Sequence, residues 1–128
     1  DNPLYYVQYA HARICSVFKK LKEGGGSYKE AIAVKSLESL QDEKEAEIQG
    51  LLSQFPEVIT RSAKNFEPHL VCYYLRHLAG IFHSYYNNEK ILVEEESELQ
   101  AKLFMLSAVR QVIFNGLKIL GISAPKSM

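Results

Sequence analysis

Near the start of the sequence two phenols, a guanidinium and an ammonium recur at helical spacings: Tyr6, Tyr9, Arg13 and Lys20. At about 100° per residue they cluster on one flank of a helix, about 60–120° from a seam of Leu4, Val7, Ala10, Ile14, Phe18 and Leu21. Tyr6 and Arg13 stand within about 20° of each other on that flank. Phenol faces can stack an unpaired base at ~1–3 kcal/mol each and basic groups meet phosphates, so the flank suits single-stranded nucleic acid. The plainer alternative is a set of boundary tyrosines with buried rings and wet hydroxyls. The first 22 residues carry Arg13, Lys19, Lys20 and Lys22 against Asp1 alone, while acid collects from Glu38 to Glu47 and from Glu94 to Glu98.

Other chemistry-bearing residues point less clearly. His11 and Cys15 stand four apart, His69 and Cys72 three apart. Two such pairs can in principle make a tetrahedral zinc site, but neither has Cys-x-x-Cys spacing, and each histidine reads more simply as a hydrogen-bonded helix residue. Cys72 and His83 are expected at solvent-side or half-buried helix positions. Arg110 falls on the apolar side of the last helical stretch, where a carboxylate or helix-end carbonyls are expected to pair with it. Gly24-Gly25-Gly26-Ser27 lacks the lysine of a phosphate cradle, and neither His-Glu-x-x-His nor Gly-x-Ser-x-Gly occurs. The carboxylates run in solvated clusters. No catalytic residue and no metal site is expected.

These groups sit on a chain of 128 residues, the size of one domain, with fifteen basic and fifteen acidic side chains and no net charge. A uniformly basic nucleic-acid coat is thereby excluded, though a local basic face is not. No apolar run reaches the ~20 residues a membrane span needs, and no basic stretch followed by an apolar one opens the chain, so neither a membrane nor a secretory leader is expected. Two cysteines make no disulfide framework, and a reduced, cytoplasmic setting follows.

Helical periodicity dominates. Asp1-Asn2-Pro3 reads as a cap and first turn for a helix reaching about Lys22 and stopping at the glycine triplet. Residues 27–41 are ambiguous between a short helix and a partly ordered excursion. Asp42 with Glu45 is a capping-box spacing for a helix to Phe55, which Pro56 ends or kinks before a further short helix to about Asn65. A long helix should run from Pro68 to Asn87. Ser97 with Gln100 gives a second capping box, for a helix to Leu120 closed by Gly121, and Pro125 keeps the tail out of it. Apolar residues cover most of that last helix, so it should be central. The expected fold is an all-α bundle of about four to five helices.

The run Asn2-Pro3-Leu4-Tyr5-Tyr6-Val7-Gln8-Tyr9-Ala10-His11-Ala12-Arg13-Ile14 resembles the opening of the C-terminal, DALR-type anticodon-binding domain of arginyl-tRNA synthetases. Phe55-Pro56-Glu57-Val58, Glu67-Pro68-His69, Tyr74-Leu75, Phe82-His83 and Tyr86-Asn87 resemble its middle. Arg110-Gln111-Val112, Asn115-Gly116, Leu120-Gly121, Pro125 and Met128 resemble its end. The likeness covers nearly the whole chain in order and weakens at residues 24–40, where an insertion is expected.

That resemblance implies one all-helical domain that grips the anticodon stem-loop of arginine tRNA and packs beside a class I catalytic domain. The catalytic signatures of that class are missing from this sequence, so ATP, magnesium and arginine would be handled elsewhere and no cofactor is expected here. The family pocket for the middle anticodon base implies Tyr6, Arg13, Tyr86 and Met128 as its counterparts. Arginine codons share a middle G, so their anticodons share a middle C, and one pocket could serve them all. DNA is not an expected partner. The alternative is a helical protein-interaction module that uses the Tyr-rich flank of the first helix.

Overall fold

The computed structural model describes residues 3–128, so the expected cap at Asp1 and Asn2 lies outside the described residues. Helix α1 (Tyr5–Glu23) follows Pro3 and Leu4. It ends where the glycines permit a tight turn: Gly24, Gly25 and Gly26 donate to Lys20, Lys22 and Leu21 carbonyls at 3.0, 3.0 and 2.9 Å, with Gly25 at φ +86°. The buried face is broader than one seam. Val7, Ala10, Ile14 and Val17 face the core and His11 and Ala12 are also buried, because α1 packs against two later helices at once. Phe18 and Leu21 are only partly covered.

Residues 24–40 form a short α2 (Glu30–Ala33) and a single 3₁₀ turn (Leu37–Ser39). Ala33 and Leu40 are buried, and the buried Gln100 clamps the segment by accepting from the Lys29 N–H at 2.6 Å and donating to the Ser27 carbonyl at 3.0 Å. Gln100 is thus occupied, and it does not complete a capping box with Ser97. The cap of the last helix is instead Glu95, whose carboxylate accepts from the N–H groups of Ser97 (2.7 Å) and Glu98 (3.2 Å). An acid at that position also complements the helix dipole.

Helix α3 (Glu43–Asn65) opens on the expected Asp42–Glu45 box. It does not break at Pro56. The proline is exposed, so the carbonyl it leaves unbonded can meet water, while Phe55, Val58 and Ile59 on either side pack on the core and hold the axis continuous. The helix stops at Phe66, which adopts the left-handed conformation (φ 55°) while Glu67 donates to the Ser62 carbonyl at 2.9 Å.

Helix α4 (His69–Asn88) runs close to its expected bounds, and α5 (Glu96–Ile119) packs against every other element. Gly121 (φ +73°) and Ile122 close α5 on Lys118 and Leu117. Gly116 sets how near α5 comes to α4, since a Cβ there would stand 2.7 Å from a Leu75 methyl. Described residues are helix, turn and coil with no strand, as an all-α bundle requires. No helix among them is long and apolar enough to cross a membrane.

One charged cluster is buried in this frame. Glu45, 2% exposed, accepts from the Asp42 N–H at 3.0 Å and the Tyr85 hydroxyl at 2.6 Å. The Lys102 ammonium stands 3.9 Å from it and 3.3 Å from Glu98, and donates to the Lys90 carbonyl at 2.9 Å. Burial and the Glu45 carboxylate push the Tyr85 hydroxyl far up, so it stays a donor. Removing one partner strands the other charge in the interior. Lys102→Met should therefore cost about 3–5 kcal/mol in urea unfolding. Its cost in a Glu45→Gln background should be much smaller. Equal costs in the two backgrounds would contradict the pairing.

Candidate nucleic-acid interface

Arg13 is the centre of the site. On α1 it stands one turn above Tyr9, and its guanidinium carbon lies 4.6 Å from the centroid of that ring. From α4, Tyr86 offers a second ring at 4.3 Å. Each such cation–π contact contributes about 0.5–2 kcal/mol according to its desolvation. Arg13 Nη1 also meets His83 Nδ1 at 3.0 Å and Asn87 Oδ1 at 3.4 Å. Thus an i, i+4 pair on α1 meets His83, Tyr86 and Asn87, an i, i+3, i+4 set on α4. No carboxylate among the described residues pairs with Arg13.

His83 is 1% exposed, more deeply buried than its expected half-buried position. Its protonation state follows from its partners. Arg13 can only donate, so Nδ1 accepts; the Tyr6 carbonyl can only accept, so Nε2–H donates to it at 3.0 Å. The imidazole is therefore neutral with its proton on Nε2. Burial lowers its pKa below the usual 6.5, the Tyr6 carbonyl pulls it partly back, and the Arg13 charge lowers it again. Rings of Tyr6 and Tyr9 cover it at 4.1 and 5.3 Å.

A basin of about 320 Å³ opens beside this stack, lined by Tyr9, Arg13, Tyr86, Lys19, Lys126 and Met128 among others. No acidic side chain among the described residues lines it. The C-terminal tail forms one wall because α1 holds it: Gln8 donates to the Ser123 carbonyl at 2.9 Å and His11 to the Pro125 carbonyl at 2.8 Å. Spacing alone does not assign these two tethers, since their partners lie more than a hundred residues away.

The residues singled out from sequence are thus divided by the fold. Tyr9, Arg13, Tyr86 and Met128 share the basin. Tyr6 stands behind it, half exposed, with its ring on His83. Lys20 lines a separate depression with Tyr86, Glu89, Val17 and Ile91. Tyr85 is fully buried, as its place within the apolar stripe of α4 suggests. His11 is held by the tail and His69 lies 3.6 Å from Glu67, and no cluster of three or more metal-ligating side chains occurs among the described residues. Arg110 departs from expectation. No carboxylate among the described residues pairs with it; its guanidinium lies 4.5 Å over the Phe18 ring and donates to Cys15 Sγ at 3.8 Å.

Residues 7–128 match the model of the DALR anticodon binding domain, and the chain belongs to that family. It is 51% identical over all 128 residues to an arginine–tRNA ligase of Legionella pneumophila and 46% identical to that of Coxiella burnetii, spanning 22% of the length of each. Among solved structures it is similar to one described as an arginyl-tRNA synthetase of Campylobacter jejuni (TM-score 0.82, 29% identity, 99% of this chain and 27% of that one). It is also similar to the Thermus thermophilus arginyl-tRNA synthetase (TM-score 0.79, 28% identity, 96% and 21%). These residues are thus the anticodon-binding portion of such ligases and not their catalytic portion.

The neutral His83 gives the site a pH dependence. Because its folded-state pKa is depressed, the unfolded chain takes up the proton first, so its contribution to stability is complete above about pH 6.5 and is lost as pH falls below it. The imidazole should titrate below 6.5 by NMR, and His83→Asn should flatten the fall of Tm between pH 7 and pH 5. Titration at or above 6.5 would contradict the Arg13 hydrogen bond.

Proposed function

We propose that residues 1–128 act as one tRNA-gripping domain of a cytoplasmic arginine–tRNA ligase. In this proposal the basin receives the middle cytosine of the arginine anticodon. The observation that carries it is the Arg13 guanidinium held against two tyrosine faces in the wall of a basin that no acidic side chain among the described residues lines. At about 320 Å³ the basin lies near the lower end of small-ligand sites, a scale suited to one flipped-out base. Cytosine presents an N4 donor with O2 and N3 acceptors. The Arg13 fork supplies donors, tail carbonyls supply acceptors, and Tyr9, Tyr86 and the Met128 thioether supply walls. Tyr6 acts one layer back through His83, and Lys20 and Lys19 face the flanking backbone. No contact is assigned to residues 24–40.

Aminoacylation itself, with its ATP, magnesium and arginine, belongs in this proposal to a catalytic domain outside these residues, which is the second partner. Neither a membrane nor DNA has a part in it. A protein-interaction module using the Tyr-rich flank of α1, where Tyr6 is half exposed, is the competing idea. The cations of the basin, none with a carboxylate partner among the described residues, favour a polyanion over a partner helix.

The test is fluorescence anisotropy with an arginine anticodon stem-loop. Replacing the middle C by U should weaken binding about 5- to 150-fold, corresponding to ~1–3 kcal/mol. Arg13→Ala and Tyr86→Ala, with unchanged circular dichroism, should erase most of that discrimination. Equal affinity for both loops would contradict the proposal and favour the protein-partner alternative.

A further inference from the structure

A second basin lies beside the first and is not used by it. It measures about 260 Å³ and is lined by His11, Cys15, Arg110, Gln111, Phe114, Ala124 and Lys126. Cys15 and Lys126 line both basins, so the two are contiguous and meet along the tail. Arg110 repeats on α5 the arrangement of Arg13 on α1: a half-buried guanidinium laid over an aromatic ring, here Phe18, with no carboxylate partner among the described residues.

A guanidinium taken partly out of water is normally balanced by an anion. Here its contacts are a ring face and a thiol, which leave most of its N–H fork unused. Lys126, exposed on the tail, adds a second cation, and no acidic side chain among the described residues lines this basin either. In a chain with no net charge, the two adjoining basins therefore gather Arg13, Lys19, Arg110 and Lys126 with no Asp or Glu side chain among the described residues in their lining. Phe114, 44% exposed, stands at the rim with its ring 6.3 Å from that of His11. Neither an apolar peptide nor a neutral ligand accounts for two cations left without a carboxylate partner among the described residues. A phosphodiester does, since its oxygens match a guanidinium fork.

We infer that Arg110 and Lys126 form an anion subsite for a phosphodiester flanking the nucleotide in the first basin, so that the RNA strand crosses the tail from one basin to the other. Phe114 offers the neighbouring base a ring at the exit. The inference rests on the proposed reading of the first basin, yet it differs from it in kind. The first basin discriminates bases, whereas a phosphate contact weakens binding to every sequence alike.

The experiment uses the same stem-loops with Arg110→Gln and Lys126→Ala. Lys126 is exposed on the tail, so its replacement leaves the fold intact even if loss of the Arg110–Phe18 contact does not. Each variant should bind about tenfold more weakly, as for loss of a charge-assisted hydrogen bond. The preference for C over U should be retained, and the slope of log affinity against log salt should shrink by about 0.7. A neutral methylphosphonate placed in turn at the two linkages flanking the middle base should weaken the unaltered chain at one of them and leave Arg110→Gln unaffected there. Unchanged affinity and slope in both variants, or equal methylphosphonate losses in the unaltered and variant chains, overturns the subsite while the first basin stands. If the unaltered chain binds no loop at all, both are overturned.

Discussion

A guanidinium with no carboxylate partner among the described residues is the constraint around which this molecule is organised. Arg13 is kept in place by two phenol faces and by the lone pair of one imidazole nitrogen. None of these neutralises its charge, so the positive potential is held at the surface while the geometry is fixed. That arrangement demands a neutral His83 of one tautomer, and the demand is met by burial and by the Tyr6 carbonyl on the far side of the ring. An acid in place of His83 would hold Arg13 more firmly and remove the charge that an anion must find.

The rest of the bundle keeps α1, α4 and the tail in register. The buried Glu45 joins the start of α3 to Tyr85 on α4 and Lys102 on α5, fixing three helices through one carboxylate. Tyr85 is rooted in that cluster while its neighbour Tyr86 turns outward to Arg13, so the structural pin of α4 and its basin-facing ring are successive residues. Gly116 lets α5 approach α4 closely, and the left-handed turn at Gly121 sends the chain back along α1, where Gln8 and His11 take hold of it. Met128 reaches the basin only because these steps succeed in order.

Much of this was legible in the residues, and the failures have physical causes. Local signals were reliable where the responsible side chain acts on its own helix: the Asp42–Glu45 box, the glycine stop after α1 and the Gly121 closure. They failed where a distant partner competed. Gln100 was recruited by the segment at 27–29 and Glu95 took the capping role, while tertiary packing by Phe55, Val58 and Ile59 overrode the exposed Pro56. At the site, helical spacing placed Tyr9 beside Arg13 but could not place Tyr86 or Met128, which the resemblance supplied. His83 gave no signal, because only the packing of α1 on α4 makes a helix-flank histidine into the support of an arginine. Arg110 was expected to find a carboxylate or helix-end carbonyls, and the fold gave it a ring and a thiol.

The chain has two methionines, Met105 in the core and Met128 beside Arg13 in the basin, so methyl labelling yields one buried and one site reporter in a single spectrum. Adding an arginine anticodon stem-loop should shift the Met128 methyl and the Arg13 side-chain N–H signals together and leave Met105 in place. A loop that binds while the Met128 and Arg13 signals stay fixed would show that the RNA sits elsewhere, and the central role given to the tyrosine-held guanidinium would be wrong.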